Sequence, residues 1–261
     1  MRRFSADYLE DTRRGLWDDR AALADIDLAG RDRILEVGCG SGEFTQVLRE
    51  ETEAEVVALD ADRELLAHVE SVTRVVGDAT RLPFIDDAFD LVIAQALLIN
   101  LPDPEVAVRE FGRVSSDLVA VIEPDNRGVQ VTSTVDTEAA LADRAREAFI
   151  SEVDTDIGLG HGAADVFEAA GLSDISVRYH PHHQRIEPPY TEAAVTGAAK
   201  KARGDRLADH REVLIEAFPE GGFDELRSDW RAMGRAVVEQ MQAEEYERDE
   251  ITPFYITVGS V

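Results

Sequence analysis

The chain has 261 residues, a length that divides into one or two domains at roughly 150 residues each. It carries 27 basic against 54 acidic residues, a formal net charge of −27 that repels polyanions, and no apolar run approaches the roughly 18 residues of a membrane helix. Cys39 is the only cysteine, which excludes an internal disulfide and a cysteine-rich zinc site; no metal is expected.

The opening MRRFSADYLEDTRR puts acids where a secretory signal needs an apolar stretch, so a cytoplasmic location is expected. Ala6 to Leu23 has helical spacing, with Leu9, Leu16 and Leu23 seven apart and Trp17 beside them, and residues 1–30 are read as an N-terminal helical lid segment. From about residue 31, short β-branched runs alternate with amphipathic stretches, the pattern of an α/β, Rossmann-like parallel sheet with crossover helices. The strands are expected at Arg33–Val37, Val56–Asp60, Thr73–Val76, Phe89–Ala94 and Leu118–Ile122. Between them lie helices at about Gly42–Glu51 and Asp62–Glu70, and one after Pro104 with Ala107, Val108, Phe111 and Val114 on one stripe.

After Ile122 the alternation breaks into a polar stretch and a helix at about Val135–Val153. Ala163–Ala170 is then helical, capped by Gly171, and Ser173–His180 is a sixth strand. Tyr190 to Glu247 is again helical, with Trp230, Met233, Val237 and Met241 on one stripe, before a last strand at Thr252–Val258. The domain at 31–261 is therefore expected to carry helical insertions at about 127–158 and 187–249.

A strand that ends in Gly38-Cys39-Gly40-Ser41-Gly42 and enters a helix presents bare backbone to a bulky ligand. Two readings compete, a dinucleotide loop cradling pyrophosphate and a loop for a nucleoside cofactor without phosphate. The sixth loop position, glycine in the dinucleotide pattern, is Glu43, and Glu36 stands two residues before the first glycine. Carboxylates there oppose pyrophosphate and suit a cationic amino-acid moiety. Asp60 ends the second strand, where it can accept both hydroxyls of a ribose, and Asp78 follows the third, within reach of an exocyclic amine.

The ordered set ILEVGCGSG, ALDAD, VVGDATRLPF, DDAFDLVIAQ and EFGRV, over roughly residues 31–123, resembles the class I S-adenosylmethionine-dependent methyltransferases of the small-molecule type. The resemblance implies a seven-stranded, mostly parallel sheet with its last strand antiparallel and helices on both faces. It also implies methyl transfer from S-adenosylmethionine to oxygen, nitrogen or carbon of a small acceptor. By position, Glu36, Gly38, Cys39, Gly40 and Gly42 would hold the methionine part, Asp60 and Ala61 the ribose, Asp78 and Ala79 the adenine, and Gln95 would flank the methyl group. Ser115-Ser116-Asp117 replaces the family's usual lysine-proline-glycine-glycine turn. The family's nucleic-acid branch carries an asparagine-proline-proline-tyrosine box; Glu187-Pro188-Pro189-Tyr190 mimics it at the wrong place.

Displacement at a sulfonium carbon needs alignment, dehydration and for some acceptors a base. Candidates are Glu123, Asp125, His161, His182 and Tyr8, with His180, His183 and Tyr190 as further contacts. His180-Pro181-His182-His183 reads as a strand exit. The N-terminal segment and the insertions would form a lid, with Tyr8, Trp17, Phe149 and Trp230 enclosing the acceptor. An RNA methyltransferase, disfavoured by charge, and a non-catalytic cofactor-binding module are the alternatives.

The acids are spread along the whole chain, and Lys200 and Lys201 are the only lysines, a composition suited to a halophilic cytoplasm. At molar salt the Debye length falls to about 3 Å and self-repulsion is screened. Melting temperature is expected to rise from dilute to multimolar KCl, and equal stability in both would overturn the halophilic expectation.

Overall fold

The structure, a computed structural model, describes Leu9 and residues 12–261 without the Arg206 side chain; the candidate Tyr8 lies outside the described residues. The chain forms two compact units. The first runs up to Asn126 and includes Thr155–Pro181 and Pro253–Val261; the second comprises Arg127–Asp154 and His182–Thr252. No helix among the described residues is long and apolar enough to cross a membrane.

The first unit is built on β1 (Arg33–Val37), β2 (Glu55–Asp60), β3 (Thr73–Val76), β4 (Phe89–Gln95) and β5 (Ser115–Pro124), all parallel in the order β3-β2-β1-β4-β5. β8 (Arg248–Ser260) then pairs antiparallel with β5, from Leu118 opposite Ser260 to Pro124 opposite Phe254, and β7 (Ser173–Ile186) pairs with β8. The expected last antiparallel strand is therefore present. Parallel strands need crossover connections of a dozen or so residues, usually helical. Here they are α1 (Glu43–Glu51), α2 (Arg63–Leu66), α3 (Pro104–Val114) and α5 (Ala163–Ala170), where α4 (Glu138–Ser151) belongs to the second unit.

Period-two alternation divides the strands between two cores. Leu35, Val37, Val57, Leu59, Val92 and Val119 pack with Phe111 and Val114 of α3 and Phe167 of α5. Ile34, Val56, Leu91, Ile93, Ala120 and Ile256 pack with Phe44, Val47 and Leu48 of α1. Both faces are thus covered, as an all-apolar parallel strand demands.

The N-terminal segment differs from its expectation. Gly15 takes φ +76°, which ends the helical spacing, and Arg20–Ile26 and Leu28–Gly30 are short 3-10 turns. Leu16, Trp17, Leu23 and Ile26 join the α1-side core, so Trp17 packs inside the fold. The expected helix at Asp62–Glu70 is cut to Arg63–Leu66, although Val69 remains buried. Ser115-Ser116-Asp117 forms no turn: α3 ends at Val114 and β5 begins at Ser115. β7 continues to Ile186, so His180, His182 and His183 lie within a strand and are not at its exit.

In the second unit, an eighth strand beyond the seven expected, β6 (Gln130–Ser133), pairs antiparallel with residues 248–251 of β8. The long helical stretch resolves into α6 (Glu192–Arg203), α7 (Asp205–Asp209), α8 (Arg211–Glu216) and α9 (Gly222–Gln242). Phe223, Leu226, Trp230, Met233, Val237 and Met241 make the buried stripe of α9, so Trp230 is core of this unit. Gly234 lets α6 and α9 touch backbone to backbone, since an added Cβ would stand 2.4 Å from the Ala202 nitrogen.

The same unit buries a charged cluster. Glu138 is 1% exposed; it pairs with Lys201, lies 3.2 Å from Arg248 Nε, and accepts from Tyr246 Oη at 2.8 Å and Ser133 Oγ at 2.7 Å. Burial alone would raise its pKa, but the Lys201 charge and these hydrogen bonds outweigh it and hold the carboxyl below the usual range. Removing one partner leaves buried cations uncompensated. Glu138→Ala is expected to cost about 3–5 kcal/mol, read as a lowered urea midpoint.

Candidate functional site

The site grows from the turn after β1. Gly38, Gly40 and Gly42 take φ of +74°, +57° and +96°, a region in which side-chain-bearing residues are strained. Added Cβ atoms would also collide, 2.9 Å from Leu97 Cδ1 at Gly38 and 2.9 Å from Leu9 Cδ1 at Gly40. The end of β2 holds this turn: Gly38 and Cys39 N–H donate to the Leu59 carbonyl at 2.7 and 3.1 Å, and Gly40 N–H donates to Asp60 Oδ2 at 2.8 Å. Asp60 Oδ1 accepts from Asp62 N–H at 2.8 Å. The aspartate read as a ribose acceptor therefore also fastens the glycine turn, with lone pairs left on each oxygen.

Glu36 lies beneath the turn, 1% exposed, and Oε2 accepts from Thr45 Oγ at 2.5 Å. Burial pushes its pKa up to about 8 against the opposing effects of that hydrogen bond and the nearby Arg13 charge. Arg13 Nη1 stands 3.5 Å from Glu43 Oε2, and Ser41 Oγ donates to Glu43 Oε1 at 2.7 Å. The loop is thus bordered by carboxylates and the Arg13 guanidinium. Cys39 turns its side chain inward against Ala58, Leu66 and Val69, and burial pushes its thiol up, so it offers only backbone.

At the other sequence-derived positions, Ala61 is exposed and Ala79 is buried against the α3-side core. Asp78 Oδ1 accepts from Thr80 N–H at 2.9 Å and Thr80 Oγ at 2.8 Å, an Asx turn that leaves Oδ2 without a partner among the described residues. Gln95 is the last residue of β4, not a loop residue, and is 2% exposed. Its Oε1 accepts from Trp17 Nε1 at 3.0 Å, while buried Nε2 has no partner among the described residues.

Glu123, a candidate base, faces backbone N–H groups. It is fully buried in β5; Oε1 accepts from Leu97 and Leu98 N–H at 3.0 and 2.8 Å, and Oε2 from Ile99 N–H at 3.3 Å. Burial pushes its pKa up to about 7 against those three donors. The carboxylate caps the turn after β4 and so sets Leu97 against Gly38. Glu123 is a positioning residue.

Asp125 and His161 both lie in the neighbourhood of Tyr255. An added Cβ at Gly160 would stand 2.8 Å from Asp125 Cβ and 3.0 Å from the Tyr255 ring, and His161 meets Tyr255 edge-on at 5.8 Å between centroids. Tyr179 adds a second ring, 5.6 Å from Tyr255. The remaining candidates lie elsewhere. His180 stacks on Trp17 at 5.7 Å, with Nε2 2.9 Å from the Leu16 carbonyl, and His183 Nδ1 is 2.9 Å from Asp249. His182 is buried in the second unit, and Tyr190 Oη is occupied by the Tyr246 backbone, accepting from its N–H at 2.9 Å and donating to its carbonyl at 3.0 Å.

Sequence reasoning missed Arg13, Thr45, Tyr255 and the Trp17–Gln95 bond. Thr45 had a signal, a polar residue within the buried Phe44, Val47, Leu48 stripe. The others depend on contacts between segments distant in sequence.

Comparison with known proteins agrees with this frame. Residues 35–117 match the family model described as a methyltransferase domain. The demethylmenaquinone methyltransferase of Mycobacterium marinum is 38% identical over 98 residues, 37% of this chain and 42% of that protein. The Staphylococcus aureus enzyme of the same name is 34% identical over 108 residues, 38% and 44% respectively. The chain thus spans less than half the length of these curated relatives. Among solved structures, a chain from Anaeromyxobacter dehalogenans, described provisionally as a type II methyltransferase, superposes with a TM-score of 0.61 at 17% identity, covering 92% of this chain and 95% of that one. Haemonchus contortus phosphoethanolamine N-methyltransferase 2, solved with S-adenosyl-L-methionine, gives a TM-score of 0.50 at 16% identity over 97% of this chain and 59% of that one. With the sheet order and the glycine turn in place, the chain has the class I S-adenosylmethionine-dependent methyltransferase fold, and the family match falls on residues 35–117 of it.

Proposed function

We propose that the protein transfers a methyl group from S-adenosylmethionine to a small-molecule acceptor, giving S-adenosylhomocysteine. The observation that carries this reading is a buried carboxyl, Glu36, and a guanidinium, Arg13, beside a turn of three positive-φ glycines. That pair matches the ammonium and carboxylate of an amino-acid head, and the bare turn admits its close approach. Buried Gln95 Nε2, a donor with no partner among the described residues, adds a second unmet polar demand at the same strand ends. Asp60 and Asp78 retain acceptor capacity for ribose hydroxyls and an exocyclic amine. S-adenosylmethionine supplies, when bound, an electrophilic methyl carbon on a sulfonium.

The chain's own part is to bind, align and desolvate. The Glu123 carboxylate fixes the turn after β4, which keeps Leu97 and Gln95 in place. His161 and Asp125, beside the Tyr255 ring at the end of β5, are the groups proposed to meet the acceptor, with His161 the proton acceptor where one is needed. Demethylmenaquinone, the acceptor in the relatives' names, makes an aromatic ring one acceptor class to test against these rings. The single cysteine and acidic composition support a cytoplasmic setting.

Calorimetric titration with S-adenosylmethionine and with NAD, followed by labelled-methyl transfer to metabolite and RNA fractions, tests the assignment. Tight NAD binding with no response to the sulfonium would overturn it. Because Glu36 is protonated below about pH 8 in the free protein, holding a cation requires losing that proton. Affinity for S-adenosylmethionine is therefore expected to rise with pH, by up to ~10-fold per unit below the Glu36 pKa, and to level off above it. Glu36→Gln should weaken binding and flatten this dependence. Glu123→Ala, which strips three N–H groups of their acceptor, is expected to cost about 3 kcal/mol of stability. Glu123→Gln should leave the shape of the pH–rate profile unchanged; loss of a limb near pH 7 would mark Glu123 as the base after all.

A further inference from the structure

Most arginines of this acidic protein face carboxylates or carbonyls, as Arg20, Arg33, Arg109, Arg113 and Arg178 do. A row on α9 does not. Arg227, Arg231 and Arg235 are spaced one helical turn apart, on one ridge, and none makes a hydrogen bond or ion pair among the described residues. Arg227 Nε is buried with no acceptor. Like charges one turn apart destabilise a helix, so the row has no rationale in the stability of α9 itself. With Ser228 and Asp224 the three line an open cleft of about 300 Å³. Their stems are held there: an added Cβ at Gly204 would touch Arg231 Cγ at 3.1 Å and Arg227 Cγ at 3.4 Å.

We propose that this cleft on the second unit is a binding site for a small phosphate-bearing anion. Three guanidinium groups and one hydroxyl line the cleft, the donor types that tetrahedral oxyanions accept, and Arg227 Nε is an unmet donor for such an acceptor. The global charge of −27 favours a small ligand over a nucleic acid. A compact anion feels mainly charges within a Debye length of about 8 Å at physiological salt, and the cleft lining carries three arginines against one aspartate, whereas a polymer spans the acidic surface beyond. Asp224, at the end of the cleft, limits the affinity.

Isothermal titration of the full chain with inorganic pyrophosphate at constant ionic strength tests the site, with a single-stranded oligonucleotide titrated in parallel. The wild type is expected to show one saturable site, weakened at least ~10-fold in R227Q/R231Q/R235Q and tightened ~2-fold in Asp224→Asn. Circular dichroism and melting establish that the variants fold; should the triple variant not fold, Arg235→Gln, at an exposed position, is expected to weaken binding ~3-fold on its own. The proposal is overturned if the wild type does not bind pyrophosphate, if binding survives the substitutions unchanged, or if the oligonucleotide binds more tightly through the same arginines.

Discussion

The tie between the end of β2 and the turn after β1 is the constraint on which the site depends. Three alternate glycines, 38, 40 and 42, in left-handed conformations would be a floppy link on their own, because glycine loses more conformational freedom on ordering than any other residue. The Leu59 carbonyl and the Asp60 carboxylate restrain that link from a neighbouring strand, through three N–H donors. Parallel pairing of β1 with β2, Val37 opposite Leu59, brings donor and acceptor into register. A slip of one residue would also turn every apolar side chain to the wrong face. The same register that builds the two cores therefore shapes the turn.

Buried carboxyls then divide the labour. Glu36 and Glu123 both stand at the carboxyl ends of central strands, and burial raises both pKa values. Their partners differ. Glu123 meets three backbone N–H groups and is committed to holding a turn, while Glu36 meets one hydroxyl and lies next to a cation. Glu138, in the second unit, shows the third outcome: the charges of Lys201 and Arg248 outweigh burial, and the carboxylate becomes a structural hub. Residue type alone distinguishes none of these; the surrounding donors do.

Much of the first unit was legible in the sequence. Ile34-Leu35-Glu36-Val37, with Gly38, Gly40 and Gly42 after it, reads as a buried strand entering a glycine turn, and Ala107, Val108, Phe111 and Val114 announce α3 by spacing. The second unit was legible only as helical stripes. Its helix breaks fall at Gly204 and His210, and β6 is four residues without a strong strand pattern, stabilised by pairing with residues 248–251. The N-terminal heptad of leucines misled, because Gly15 at φ +76° breaks the helix and sends Leu16 and Trp17 into the core.

By itself the sequence determined the strand-and-helix alternation, the glycine turn and the carboxylates near it, because hydrophobic period and glycine's conformational freedom are local properties. Tertiary structure alone decided what each polar group does. Glu123 became a cap for Leu97, Leu98 and Ile99, Gln95 became the partner of Trp17, Asp125 and Tyr255 met around Gly160, and three arginines of α9 were left facing a cleft. Those roles depend on which donors, acceptors and charges arrive from segments tens of residues away, and such arrivals are set by packing, not by any local pattern.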